Sequence, residues 1–142
     1  MSIWKTTPIL EILNQMRANT MTDLLGIEFT EVGDDYLTAR MPVDQRTHQP
    51  MGYLHGGASC ALAETVGSVA ANCCVDYEKE YCMGMDIHTS HLRSVREGYV
   101  IGTAKPIHMG RRTQVWDIQQ VDSENHLVAV TRLTVVVLTK KY

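Results

Sequence analysis

The residues best suited to chemistry stand close together in the chain. His55-Gly56-Gly57 comes where a loop gives way to a helical pattern, and Glu64 lies inside that pattern. The first N–H groups of a helix have no internal acceptor and carry the positive end of its dipole. Glycine lets a substrate oxygen approach that backbone closely, so the segment suits an oxyanion hole. It equally suits a plain glycine-rich helix start. Glu64 sits among small and apolar residues, where an unpaired carboxylate is costly and generally has a partner or a task. The tasks are nucleophile or general base; the alternatives are a structural ion pair or an exposed helix position. Ser68 follows one turn later on the same face, within reach of Glu64 or of a water.

Spacing adds a sharper expectation. Gly57 and Glu64 share a helical face, yet seven residues at about 1.5 Å each separate them by ~10 Å along the axis. A group attacking a carbonyl and a donor holding its oxygen must each lie about 3 Å from it. One copy of the helix start and its own Glu64 can hardly serve the same carbonyl. Two antiparallel helices meeting across a dimer axis could, which predicts a site shared between subunits.

The elements that must position these groups follow from periodicity. Residues 7–17 read as a short helix, with Thr7 as its cap, Pro8 at its first position and Ile9, Leu10, Ile12, Leu13 and Met16 as its apolar stripe. A second helical turn is expected near Thr22–Leu25. Strands are expected over 26–32 and 35–43 around the break Gly33-Asp34-Asp35, and residues 44–54 read as a loop. The main helix runs from His55 to about Val75; Gly67 inside it points to close packing, since glycine costs a helix roughly 1 kcal/mol against alanine. Four more strands are expected over 81–94, 98–109, 112–121 and 126–138, with short gaps that favour antiparallel neighbours. The last is apolar on both faces near its end, so one face is expected to meet another subunit. The fold class is α+β, one long helix against a curved, mostly antiparallel sheet, in a single domain over residues 1–142.

Composition removes several classes. Hydrophobic residues make up 44% and charged residues 20%, an ordinary globular balance rather than disorder. A net charge of −3 argues against nucleic acid or a membrane surface as partner. No run approaches the ~20 apolar residues of a membrane span, and the first residues lack the marks of a signal peptide, so a cytoplasmic location is expected. Cys60, Cys73, Cys74 and Cys82 have no C-x-x-C spacing and read as free thiols, with no metal site.

The run MPVDQRTHQPMGYLHGGASCALAETVGS, from Met41 to Ser68, resembles the hotdog-fold thioesterases. The nearest resemblance is to the branch containing the 1,4-dihydroxy-2-naphthoyl-CoA thioesterases and the enterobactin proofreading thioesterases. The phenylacetate-degradation and 4-hydroxybenzoyl-CoA thioesterases are similar more loosely. SIWK, NTM…LGIEFTEVGDD and PIHMGRRTQVWDI agree as well, so the match covers nearly the whole chain.

The resemblance implies hydrolysis of an acyl-CoA, with an aromatic acyl group expected, to a free acid and CoA. It implies Glu64 as the catalytic carboxylate, and the Gly56 N–H with Gln49 as holders of the thioester oxygen. His55 would assist near the carbonyl or leaving thiolate, and Ser68 would position water or Glu64. His91 matches a pocket histidine near the acyl group. His108, Gly110, Arg111 and Arg112 would lie near the CoA nucleotide, where guanidinium groups suit phosphates; a solvated turn is the alternative. No cofactor beyond the substrate's CoA is implied, and the family pattern is a homodimer, often paired into a homotetramer. The chain departs from close relatives at Leu92 and Ser94, where a second histidine and a proline often stand, and His88 is an extra histidine. These bear on acyl preference rather than reaction type. A hotdog hydratase or dehydratase using His91 with Glu64, and a non-catalytic acyl-CoA-binding protein, are the alternatives.

Overall fold

The computed structural model describes residues 1–142. Its elements in chain order are α1 (Leu10–Gln15), α2 (Met21–Leu24), β1 (Glu28–Val32), β2 (Leu37–Pro42), α3 (Gly56–Cys73), β3 (Glu80–His91), β4 (Tyr99–Met109), β5 (Thr113–Asp122) and β6 (Leu127–Thr139). The six strands form one sheet in the order β1-β2-β4-β5-β6-β3, and every neighbouring pair is antiparallel. This is the hotdog architecture, with α3 as the helix that the sheet wraps. No helix is long and apolar enough to cross a membrane.

Helix α3 turns Leu62, Ala63, Val66, Ala70 and Ala71 into a core completed by Leu37, Met41, Val100, Trp116, Ile118, Leu133 and Val135. Small residues on the helix bring it close to the sheet. At Gly67 a Cβ would lie 2.6 Å from Leu133 Cδ2 and 3.2 Å from Ile118 Cδ1. The packing reason for that glycine is therefore direct: two core side chains fill the place of a methyl group.

The expected α1 is shorter and differently started. Its first residue is Leu10, its cap position is Ile9, and no side chain caps it; Thr7 does not. The Lys5 and Thr6 N–H groups donate to the Cys73 carbonyl at the end of α3 (2.9 and 3.1 Å). That holds residues 5–8 beside the end of α3, with a bend at Lys5 and Thr6, and delays the helix. The apolar stripe also divides: Leu10 and Leu13 pack on the core, whereas Ile9, Ile12 and Met16 remain exposed.

The expected loop 44–54 contains a tight turn. The His48–Leu54 pair forms a bridge, the Gln49 N–H donates to the Tyr53 carbonyl (2.8 Å), and the Gly52 N–H to the Gln49 carbonyl (2.9 Å). Pro50 supplies the preset φ of a turn, and Gly52 takes a φ of +82° that other residues resist.

Candidate active site

At the start of α3, His55 is the cap residue, and its Nδ1 accepts the Gly57 N–H at 2.8 Å. A neutral ring accepting at Nδ1 carries its proton on Nε2, so His55 presents a donor outward. The Ala58 and Ser59 N–H groups donate to the His55 carbonyl. The Gly56 N–H is left without an acceptor in the chain, at the positive end of an 18-residue helix. The His91 ring packs on Gly56, where a Cβ would come within 3.0 Å of Nε2; the bare glycine permits that approach.

Gly56 and His91, though not His55, border one cleft of about 530 Å³, lined also by Gln49, Tyr53, Ser59, Leu92, Arg93 and Ser94 among others. The Gln49 side-chain oxygen accepts the Met51 N–H, and its amide nitrogen keeps both hydrogens free. The cleft thus gathers an unpaired helix-start N–H, a free amide donor and an imidazole. Such donors can stabilise charge developing on a carbonyl oxygen.

Glu64 is absent from that cleft. Its carboxylate leans on β3, where a Cβ added to Gly84 would fall 2.1 Å from Oε1. Half-buried rather than fully buried, it has no hydrogen bond or ion pair within the chain. Desolvation without a compensating partner pushes its carboxyl above the ordinary glutamate range. Of the two partners allowed for Ser68, Glu64 or a water, Glu64 is not bonded within the chain. Ser68 instead lines a groove of about 580 Å³ between α1 and α3, walled by Ile9, Ile12, Leu13, Met16 and Val69. The stripe of α1 is divided because its exposed half forms this groove.

The sheet shows how far apart the two groups of residues are. Gly84, beneath Glu64, pairs with Val135 of β6, and His91, beside Gly56, pairs with Ala129. Those partners stand six residues apart on β6, and on α3 Gly56 and Glu64 stand eight residues apart, about 12 Å along the axis at ~1.5 Å per residue. No thioester carbonyl can touch both ends within one chain. The β4–β5 turn lies at Glu64's end, since the Val137 N–H donates to the Arg112 carbonyl at 2.8 Å. Arg111 and Arg112 line a shallow cleft with Glu80 and form no ion pair. His108 is held against Gly110, where a Cβ would come within 2.7 Å of its Nε2.

A family model described as the thioesterase superfamily matches residues 51–129. The chain belongs to the thioesterase superfamily. It is 48% identical to the 1,4-dihydroxy-2-naphthoyl-CoA hydrolase of Escherichia coli over 96% of this chain and 99% of that one. It is 46% identical to the proofreading thioesterase EntH of Cronobacter turicensis over 96% and 98%. The crystal structure of a glutamine-to-alanine variant of a Pseudomonas aeruginosa thioesterase superposes with a TM-score of 0.97 at 47% identity, covering 98% of this chain and all of that one. As a member of this superfamily the chain is a thioester hydrolase.

Two features of this thioesterase escaped sequence reasoning. Gly84, the floor under Glu64, left a legible signal: an isolated glycine inside a strand marks a bulge or a close approach, and β3 is irregular between Gly84 and Asp86. The groove between α1 and α3 left none, because nothing local says that half a stripe stays uncovered.

Proposed function

We propose that two copies of this chain together hydrolyse cytoplasmic acyl-CoA thioesters carrying an aromatic acyl group. The carbonyl sits between the Gly56 N–H and Gln49 amide of one copy and Glu64 of the other. The observation that carries this reading is the roughly 12 Å of α3 between the two half-sites, with an unpaired carboxylate at one end and unpaired donors at the other.

The open edge of β3 offers the route. It has no neighbour within the chain. If two β3 edges pair antiparallel with Ile87 of one opposite the partner's His88, Gly84 falls opposite the partner's His91, each being three residues from the centre. Glu64 then meets the partner's helix start. Glu64 either attacks the carbonyl carbon, giving a mixed anhydride and releasing the thiolate of CoA, or takes a proton from the water that attacks. His55, donating from Nε2, serves the carbonyl or the departing sulfur, and Ser68 orients the water. The apolar groove beside Ser68 takes the acyl group, with His91 bordering the carbonyl. His108, Gly110, Arg111 and Arg112 lie towards the CoA phosphates.

Mixing two inactive variants tests the shared site. Glu64→Ala and Gln49→Ala are each expected to lose most thiol release from aromatic acyl-CoA substrates while keeping their fold. Refolded together in equal amounts, they should recover about a quarter of wild-type activity, because half of the dimers then hold one intact site. No recovery would place both residues in one chain's site and sink the proposal. Near-normal hydrolysis by Glu64→Ala alone would remove the carboxylate's role. An enoyl thioester consumed without free thiol would instead favour a hydratase.

A further inference from the structure

The turn that carries Gln49 is gripped from outside at both ends by one residue. Arg96 lies in the connection between β3 and β4, and its carbonyl oxygen accepts from His48 Nε2 at 2.8 Å. Its guanidinium donates to the Tyr53 hydroxyl at 2.8 Å and stacks on the Tyr53 ring at 4.5 Å from the centroid. His48 and Tyr53 flank the turn, which closes internally through Gln49 N–H to Tyr53 O and Gly52 N–H to Gln49 O. The neighbouring Val95 carbonyl also accepts the Leu54 N–H at 2.8 Å, so residues 95–96 tie both flanks of the turn.

The base of the turn is closed by the His55 N–H on the Thr47 carbonyl at 2.8 Å and by Leu54 against the core, but its tip is unpacked. Pro50, Met51 and Gly52 are all exposed; at Gly52 a Cβ would meet nothing within 4 Å. A turn without packing needs hydrogen bonds to keep one geometry. A donor aimed at a developing oxyanion loses its effect when displaced by about 1 Å.

The geometry points to His48, Tyr53 and Arg96 as positioning residues that fix the Gln49 amide at the thioester oxygen. His48 and Arg96 lie outside the cleft lining and Tyr53 borders it; the role assigned to all three runs through Gln49. This rests on the function proposed above, with Gln49 as an oxygen-holding donor.

The test pairs two mild substitutions with a background lacking the amide. Tyr53→Phe keeps the ring under the guanidinium and removes only the hydroxyl; His48→Ala removes the other tie. The double variant is expected to lose roughly tenfold in kcat with KM changed less than about twofold, the mark of an interaction made in the transition state. Added to Gln49→Ala, the same two substitutions should cost nothing further in kcat. Unchanged kcat in the double variant, or an equal loss in both backgrounds, overturns the proposal. A second reading is independent of catalysis: amide hydrogen exchange at Met51 and Gly52 should rise about tenfold in the double variant, reporting local opening, and unchanged exchange overturns the brace. If the wild-type chain releases no thiol from any acyl-CoA, the proposed function fails instead, and exchange still decides whether the brace exists.

Discussion

The two edges of the sheet begin alike and end differently. Each is gripped by an asparagine from a helix. Asn14 of α1 takes both backbone groups of Phe29 on β1, donating to its carbonyl (2.9 Å) and accepting its N–H (2.8 Å). Asn72 of α3 does the same for Cys82 on β3 (3.1 and 2.8 Å). On β1, five residues long, that grip closes much of the edge, and Arg17 adds a bond to the nearby Ile27 carbonyl. β3 is twelve residues long, and past Cys82 it is bare. Met83, Met85 and Ile87 are 55%, 59% and 36% exposed. Proteins ordinarily blunt such an edge with charge, proline or a cover. A long open edge, apolar at Met83, Met85 and Ile87 with Asp86 between them, beside an unpaired carboxylate is where the proposed pairing of two copies would fall, whereas β1 is largely closed.

The strongest way to break that contrast is to charge the open edge. Ile87→Glu places two carboxylates beside the proposed axis; activity should fall by more than about 100-fold and sedimentation should show monomers, with secondary structure kept. Thr30→Glu on β1, equally exposed on the closed edge, should change neither. An active, associated Ile87→Glu chain would show that β3 is not the meeting edge.

Gly84→Ala should act next most strongly. Its methyl group would take the place of the Glu64 carboxylate, and a displacement of that size is expected to cost ~10–100-fold in kcat while the melting temperature changes little. An unaffected kcat would mean that Glu64's rest position over Gly84 is not the one it reacts from.

The two asparagine grips separate stability from function. Asn14→Ala and Asn72→Ala each leave a backbone N–H and C=O without partners, about 1–3 kcal/mol of destabilisation by denaturant titration. Only Asn72→Ala should also lower turnover beyond its effect on folding, because β3 carries the floor under Glu64. Equal effects on turnover would erase the distinction between the edges.

The smallest effect is on stability at Glu64 itself. Burial raises this carboxyl's pKa in the folded chain, so the ionised form is the disfavoured one there. The cost is absent where both folded and unfolded forms are protonated, grows as pH climbs past the unfolded value, and is complete above the folded one. Glu64→Gln should therefore melt slightly higher than wild type at neutral pH and lose that advantage in acid, while losing activity. A variant less stable at neutral pH would reveal a partner for the carboxylate. The same raised pKa should move the acidic limb of the kcat profile above the ordinary glutamate range.

Much of this was legible in the residues. The start of α3 at His55-Gly56-Gly57, the lone carboxylate at Glu64, the meaning of Gly67 and the succession of strands follow from local patterns: capping geometry, helical rise and period-two alternation. Thr7 misled because the carbonyl at the end of α3, far along the chain, competes for the N–H groups of Lys5 and Thr6. Of the two partners the sequence allowed Ser68, Glu64 or a water, the structure shows no bond to Glu64, because the two side chains lean apart, one towards β3 and the other towards α1.

By itself the sequence determined which groups exist and how far along the chain they stand, because rise per residue and side-chain chemistry are local properties. Only the tertiary structure decided that Glu64 rests on a bare glycine without a counter-ion, that half of α1's stripe walls a groove, and that β3 rather than β1 is the edge left open. Those depend on which strands become neighbours, and that is settled by packing over the whole core, not by any segment alone.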